Sequence, residues 1–353
     1  MSQPGLPEIH VLPPGWLCFA FLTYRISQKL QPKFPMKRLL PIIVLALLTA
    51  QEGFAQDEAV FSHYVQNPII LNPAAAGFLD EYTVQVNARA AWSGFEDSPK
   101  TVAARLNGPV GESFGIGVGV FSESAAQLNR LKGQVDVAFR FGLGKEVKGE
   151  QAFQAAFGFF TQFQRLTLDP EVATNPQFQA GDEDIMALLD GRNEFDAGIG
   201  IYGSYQNKVF GGLTINNLVA NRLNDISGAV SDGFNFTFLI GQRFRLEDLD
   251  VNLTPSVMLR DVQDAPFMMD FNLQAGFLND QFIAGLSYRY LGAIGLLLGT
   301  ELKGLQLYYS YDLSFSQFQE FNNGSHEFTV GYSISRQAIK DARRKRAAEE
   351  ARR

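Results

Sequence analysis

From Tyr82 onward the chain repeats with a period of two, and this limits the fold more than any other feature. Tyr82-Thr83-Val84-Gln85-Val86-Asn87-Ala88-Arg89-Ala90 alternates apolar with polar. Val135, Val137, Phe139 and Phe141 are interleaved with Gln134, Asp136, Ala138 and Arg140. In Phe114-Gly115-Ile116-Gly117-Val118-Gly119-Val120 the second face is all glycine. Successive strand side chains point to opposite faces, so this period specifies β-strands with one apolar face. Charges such as Asp136 and Arg140 on the other face suggest a wet or polar-networked interior. A sandwich with its apolar face inward has the same alternation, so periodicity alone does not separate it from an outer-membrane barrel. No stretch of the processed chain reaches the ~20 apolar residues a membrane helix needs. With 46% apolar and 19% charged residues, 33 Gly, 31 Phe and a single Cys, the composition also excludes disorder, collagen, a coiled coil and a disulfide scaffold.

Connector lengths discriminate between the two β architectures. The alternation places about fourteen strands near 81–91, 100–107, 113–123, 131–143, 151–168, 194–205, 208–216, 234–245, 250–260, 267–278, 281–290, 293–302, 305–315 and 326–335. Counts of about twelve or sixteen fit the same pattern, because strand ends read from sequence shift by about two to four residues. Connectors after even-numbered strands are short (108–112, 144–150, 206–207, 246–249, 279–280, 303–304). Those after odd-numbered strands are mostly longer (92–99, 124–130, 169–193, 217–233, 261–266, 316–325), with a tight turn at Leu291-Gly292 as the exception. Short turns on one rim and long loops on the other predict an all-β, antiparallel outer-membrane β-barrel. Tyr82, Phe114, Phe121, Phe141, Phe195, Tyr205, Phe234, Phe244, Tyr288, Tyr290, Tyr308, Tyr309 and Tyr311 fall near strand ends, where aromatic girdles sit.

The flanks divide the rest of the chain. Met36-Lys37-Arg38, an apolar run from Leu39 to Ala50 and Gly53-Phe54-Ala55 have the layout of a secretory signal, so 36–55 is expected to be removed. Residues 1–35 are expected to be a non-native upstream extension with Met36 as the true initiator. Cys18 follows Gly15-Trp16-Leu17, which is no lipobox, and cleavage would leave the processed chain without cysteine. Residues 56–80 then form an N-terminal cap or plug, 81–335 the barrel and 336–353 a basic, short helical tail. The span 56–335 carries a net charge of −15 and the last 18 residues +5, so the even strand count would place a cationic tail in the periplasm.

Catalytic chemistry has little to draw on, and no enzyme activity, cofactor or metal is expected. Gly198-Ile199-Gly200-Ile201-Tyr202-Gly203 spells a dinucleotide fingerprint, but it lies inside an alternating strand instead of at a helix start. Its glycines are expected to relieve crowding inside a curved barrel. Ser325-His326-Glu327 are consecutive, so strand alternation separates them and triad geometry is lost. Asp182-Glu183-Asp184 lacks the spaced ligands of a calcium loop and is expected to be a solvated acidic loop. The acidic body and export argue against nucleic acid.

The most distinctive segment precedes the first strand. Phe61-Ser62-His63-Tyr64 leads to Asn67-Pro68-Ile69-Ile70-Leu71-Asn72-Pro73-Ala74-Ala75-Ala76-Gly77. Two Asn-Pro pairs each offer an Asx-type turn followed by a fixed φ, and the apolar knuckle between them needs burial. Phe61, Tyr64, Asn67, Pro68, Asn72, Pro73 and Gly77 are therefore candidate plug or partner-docking residues. This segment resembles the start of the PorP/SprF family, outer-membrane proteins of the type IX secretion and gliding systems of Bacteroidetes. Further matches are Trp92 with Pro99, Tyr311-Asp312, and Gly324-Ser325-His326-Glu327-Phe328 before Gly331-Tyr332. The resemblance spans about 57–335, with departures at the basic tail and at Ala75, where an aromatic is common.

The resemblance implies an outer-membrane barrel associated with type IX secretion components, helping to secrete or anchor a surface protein or adhesin through protein contacts. It also implies membrane lipid as surroundings and a periplasmic peptidoglycan-associated protein as a possible partner. Two other classes remain open on the residues: a passive transporter for small or hydrophobic solutes, and a soluble secreted sandwich adhesin.

Overall fold

The computed structural model describes residues 61–94, 97–147, 150–174, 182–219, 235–262, 267–290, 292–315 and 322–350. The expected extension, the signal segment and Phe234 lie outside the described residues. The sheet runs through β1 (Glu81–Ala90), β2 (Lys100–Val110), β3 (Phe114–Ala125), β4 (Leu128–Val147) and β5 (Glu150–Leu168). It continues with β6 (Arg192–Tyr205), β7 (Val209–Asn216), β8 (Asn235–Gln242, resuming as Phe244–Leu246), β9 (Val251–Asp261) and β10 (Met268–Phe277). β11 (Phe282–Arg289), β12 (Ala293–Leu302), β13 (Leu305–Ser314) and β14 (Ser325–Ser335) complete the fourteen.

Each strand pairs antiparallel with its sequence neighbour, and β14 pairs back onto β1 from Glu81↔Ser335 to Ala90↔His326. The barrel is closed, so no strand edge is left for a lipid environment that cannot hydrogen-bond it. The gap in β8 falls at Arg243, and the register with β9 is continuous on both sides of it. Pro255 of β9 stands next to the position across from that gap and has no amide hydrogen to give the ladder.

Facing follows the alternation. Val84, Val86, Val135, Val137 and Phe139 are 42–50% exposed on the outer wall. Gln85, Asn87, Arg89, Arg105 and Asp136 point inward and are at most 8% exposed. The connectors at the rim where β1 begins and β14 ends are all short and the long ones lie at the other rim, which makes the first the periplasmic rim by the usual asymmetry of these barrels.

Three expectations need correction. The 124–130 connector is a tight turn at Ala126-Gln127, both with positive φ (47° and 70°), because the β3–β4 pairing runs on to Ala125↔Leu128. Phe121 and Tyr308 are not girdle residues: each sits at an inward position of its strand and is buried. Asp182-Glu183-Asp184 does not form a bare loop, since the Asp182 carboxylate accepts the Ile185 N–H (3.2 Å) at the start of α1 (Glu183–Asp190). At the periplasmic rim β14 passes directly into α2 (Arg336–Glu350), which buries no residue. Its first amide donates to the Asp80 carbonyl (3.0 Å), and the Asp80 carboxylate meets Arg140 (3.2 Å) and Arg336 (3.4 Å).

This facing predicts unequal costs for two neighbouring substitutions. Val137→Arg places a charge in the lipid-facing band and should cost ~2–4 kcal/mol, whereas Gln134→Arg on the lumen wall should cost clearly less. Folded yield in lipid vesicles checks this; equal impairment would contradict the assigned faces.

Candidate functional site: a segment packed inside the barrel

Residues 61–78 run through the barrel from its loop half to its periplasmic rim. At one end Phe61 packs with Ala103 and Phe121, near the loop ends of β2 and β3. At the other, the Gly77 amide meets Asn107 Oδ1 (3.3 Å), just before β1 begins. The apolar knuckle is divided among three wall clusters. Ile69 joins Ala74, Ala76, Phe78, Ala138, Ala156 and Tyr202. Ile70 packs on Phe61 and Phe121, and Leu71 on Tyr64, Leu239 and Met258. Each apolar residue is thus committed to a different side of the lumen.

The two Asn-Pro pairs behave differently. Asn72 forms the expected turn: its Oδ1 accepts the Ala74 N–H (2.9 Å) over a 3-10 turn at Pro73–Ala75. Its Nδ2 also donates to the carbonyls of Ile201 (2.8 Å) and Leu213 (3.3 Å) on adjacent strands. Asn67 makes no cap to its own turn at Pro68–Ile70, and its side-chain amide donates to Gln85 of β1 instead. The Thr214 hydroxyl donates to the Leu71 carbonyl (2.8 Å).

Glycines make this approach possible. A Cβ at Gly115 would strike the Ala76 carbonyl, one at Gly158 the backbone of Ala74, and one at Gly200 the Asn72 carboxamide. Gly115 and Gly117 of β3, Gly158 of β5 and Gly200 of β6 are therefore the bed of the lumenal segment, whereas a Cβ at Gly198 would meet Phe160 and one at Gly203 the Phe153 ring. Gly77 carries φ +60° where a Cβ would meet the Gly108–Pro109 backbone at 2.7 Å, so both its conformation and its contact call for glycine.

The loop half of the lumen is ionic. Arg89 of β1 bridges Asp312 of β13 (2.8 Å) and Glu327 of β14 (3.0 Å). Glu327 also accepts the Ser62 amide (2.8 Å) and lies 3.2 Å from His63 Nδ1, which is 2.6 Å from the Thr329 hydroxyl. Arg289 pairs with Asp270 (3.3 Å) and lies 3.9 Å from Asp312, while Asn272 donates to the Tyr64 hydroxyl (3.3 Å). Buried charges are tolerated when paired and hydrogen-bonded, and here part of that pairing comes from the segment itself. The Ser62 hydroxyl faces Arg89 and Asp312, whereas the His63 Nδ1 faces Glu327 and Thr329. The cluster acts as a clasp.

Alternation splits the other motif positions between two walls. Asp312 and Glu327 point inward to the clasp. Tyr311 and His326 point outward: the Tyr309 hydroxyl lies 2.9 Å from His326 Nδ1, and the Tyr311 ring centroid is 5.0 Å from the imidazole. Above them the Trp92 amide donates to the Ser325 hydroxyl (3.0 Å) and the Ser93 amide to the Gly324 carbonyl (2.8 Å). The Pro99 carbonyl accepts from Ala91 (2.8 Å) at the start of β2. Sequence reasoning missed Arg89, Asp270, Arg289, Gln85 and Thr329 as site residues. Their signal was parity, since each is a polar residue on the lumen side of its strand.

Asn72→Ala would leave two strand carbonyls and the Ala74 amide without these bonds, each buried loss costing ~1–3 kcal/mol. Asn67→Ala removes one bond. The expected order of thermal stability in detergent is parent above Asn67→Ala above Asn72→Ala, with residues 61–79 resisting protease in the parent. Rapid cleavage there in the native parent would contradict a packed segment.

Comparison with known proteins gives the following. The Ralstonia pickettii toluene transporter TbuX shares 10% identity over 80% of this chain and 95% of its own, with a TM-score of 0.44. A Pseudomonas aeruginosa FadL homologue gives 9% identity, 75% and 92% coverage and a TM-score of 0.43. The Acinetobacter baumannii outer membrane protein Omp33 gives 6%, 73% and 99%, and 0.41. No curated protein sequence matches the chain. Residues 53–332 match the family profile described as type IX secretion system membrane protein PorP/SprF. With its closed barrel and apolar outer wall the chain is an outer-membrane protein, and it belongs to the PorP/SprF family.

Proposed function

We propose that this barrel serves the type IX machinery as a scaffold, helping to secrete or anchor a surface protein through protein contacts, and that it is neither a conduit for solutes nor an enzyme. The observation that carries this reading is the lumen, occupied by residues 61–78 from the loop half to the periplasmic rim. In this reading the segment, with Phe61, Tyr64, Asn67, Pro68, Asn72, Pro73 and Gly77, is a fixed plug that also shapes the surface offered to partners. Passive transport, the competing reading, needs a continuous path that the packed segment obstructs. The reading involves no cofactor and no nucleic acid. Service in gliding by a Bacteroidetes cell belongs to the same proposal.

The tail adds a second contact. Beyond Arg336, which is paired with Asp80, α2 is largely exposed and carries Lys340, Arg343, Arg344, Lys345 and Arg346 at the periplasmic rim. It suits an anionic partner there, such as a peptidoglycan-associated protein or cell-wall carboxylates. Screening over ~8 Å at physiological salt makes such a grip short-ranged.

The test is co-purification from outer membranes in mild detergent, with the full chain and with residues 337–353 deleted, at low and high salt. A surface protein should accompany both forms, while a periplasmic partner should be lost on deletion or at high salt. Purification of the barrel alone, together with porin-like solute flux in liposomes, would overturn the proposal.

A further inference from the structure

The outer wall carries a groove of about 690 Å³ that crosses the strands from β7 to β12. That volume falls within the ~300–1,000 Å³ of small-molecule sites. The strand register shows how the groove is built. One bank is an outward row in which Pro255 pairs with Leu273 and Leu273 with Leu286, continued on β8 by Gln242. The other bank is the outward row Ile240, Val257, Phe271 and Tyr288, each paired with the next. Between the banks runs the row of Gly241, Ser256, Asn272 and Ser287. By strand parity its side chains belong to the inner face, so the floor of the groove is backbone. Among the described lining, the outward side chains are apolar except for Gln242 and the Tyr288 hydroxyl.

The dimensions suit one hydrocarbon chain. Neighbouring strands lie ~4.8 Å apart, so the row from β7 to β12 is about 24 Å long. It starts at Val209, the first residue of β7 at the periplasmic rim, and climbs to Ile294 of β12. Strands of such barrels tilt by ~35–45°, so a row running across them climbs about 15 Å. This is half of a ~30 Å hydrocarbon core, the depth that one leaflet fills. The groove is also continuous with the lipid-facing band, so hydrocarbon is what meets it. A chain lying between the banks touches protein on three sides, and dispersion contacts accumulate atom by atom.

At the periplasmic end the chemistry changes. Lys208 precedes Val209 and Arg243 follows Gln242, and the Arg243 amide donates to the Lys208 carbonyl (2.7 Å). Arg243 lies 3.8 Å from Asp280 with half of its side chain exposed. A guanidinium has five N–H donors, so this one pairing leaves donors for a second anion. Two cations at the level of the periplasmic head groups match a phosphate.

We infer that this groove holds one acyl chain of a phospholipid from the periplasmic leaflet, with its phosphate against Lys208 and Arg243. A lipid held in this way is a bound component of the barrel, distinct from the solvent lipid around it. The site lies on the outer wall and is independent of how the lumen is used.

The test is native mass spectrometry of the full chain, delipidated in detergent and titrated with dipalmitoylphosphatidylethanolamine, dipalmitoylglycerol or lipid A. The phospholipid should bind saturably at one per chain, and the other two more weakly. Val257→Trp with Leu273→Trp fills the groove from both banks and should weaken phospholipid binding about tenfold, because the chain loses its flanking contacts. Val84→Trp with Val86→Trp, elsewhere on the outer wall, should not. Lys208→Gln with Arg243→Gln should weaken the phospholipid and leave dipalmitoylglycerol, which has no phosphate, unchanged. Heat-modifiable gel migration checks that each variant is folded, and Val257→Phe alone replaces the double Trp variant if that fails. Absence of saturable phospholipid binding, unchanged binding in the folded groove variant or in the folded head-group variant, or preference for lipid A would each overturn the inference.

Discussion

Closure of the β1–β14 seam is the constraint from which the rest follows. Hydrocarbon offers backbone groups no hydrogen-bond partners, so a strand-built membrane protein must pair every edge. Ten residues of β1 pair in register with β14, and this seam brings Arg89 alongside Glu327. Asp312 arrives from β13, one strand further round. The clasp that holds Ser62 and His63 is therefore made by the same pairing that closes the barrel. Without the seam there is neither an outer wall nor a site for the lumenal segment.

A barrel of this strand number has space to fill, and the chain fills it by two means. In the loop half, polar side chains of the segment complete an ionic network. In the periplasmic half, Ala74 and Ala76 lie so close to wall glycines Gly158 and Gly115 that a Cβ there would strike their backbone. The first device is specific in charge, the second in shape. Together they fix the depth of the segment, and the Asp80 carboxylate and carbonyl tie its exit to Arg140 and to the start of the tail helix.

Much of this was legible before any coordinates. All fourteen strands lie within a few residues of where alternation placed them, because inside and outside of a barrel differ in polarity at every position. The lipid-facing set was legible for the same reason. Phe121 and Tyr308 were misassigned because aromatic residues serve girdles and lumen walls alike, and only strand parity separates the two. The 124–130 connector was misjudged because Gln127, Asn129 and Arg130 look like loop residues, although the strand there continues with polar groups. The glycine faces were visible, but their purpose was not. A glycine records that something comes close, not what comes, and the partner lay some forty residues or more away in sequence. Asn67 illustrates the same limit: its local turn chemistry was clear, yet its bond goes to a strand.

Single-channel recording in planar bilayers tests the central claim, that the chain's own segment closes the lumen, most directly. The account predicts that the intact protein shows no steady conductance, whereas Gly158→Leu together with Gly200→Leu, which denies the segment its bed, conducts ions once inserted. A steady open channel in the intact protein, unchanged by those substitutions, would contradict it.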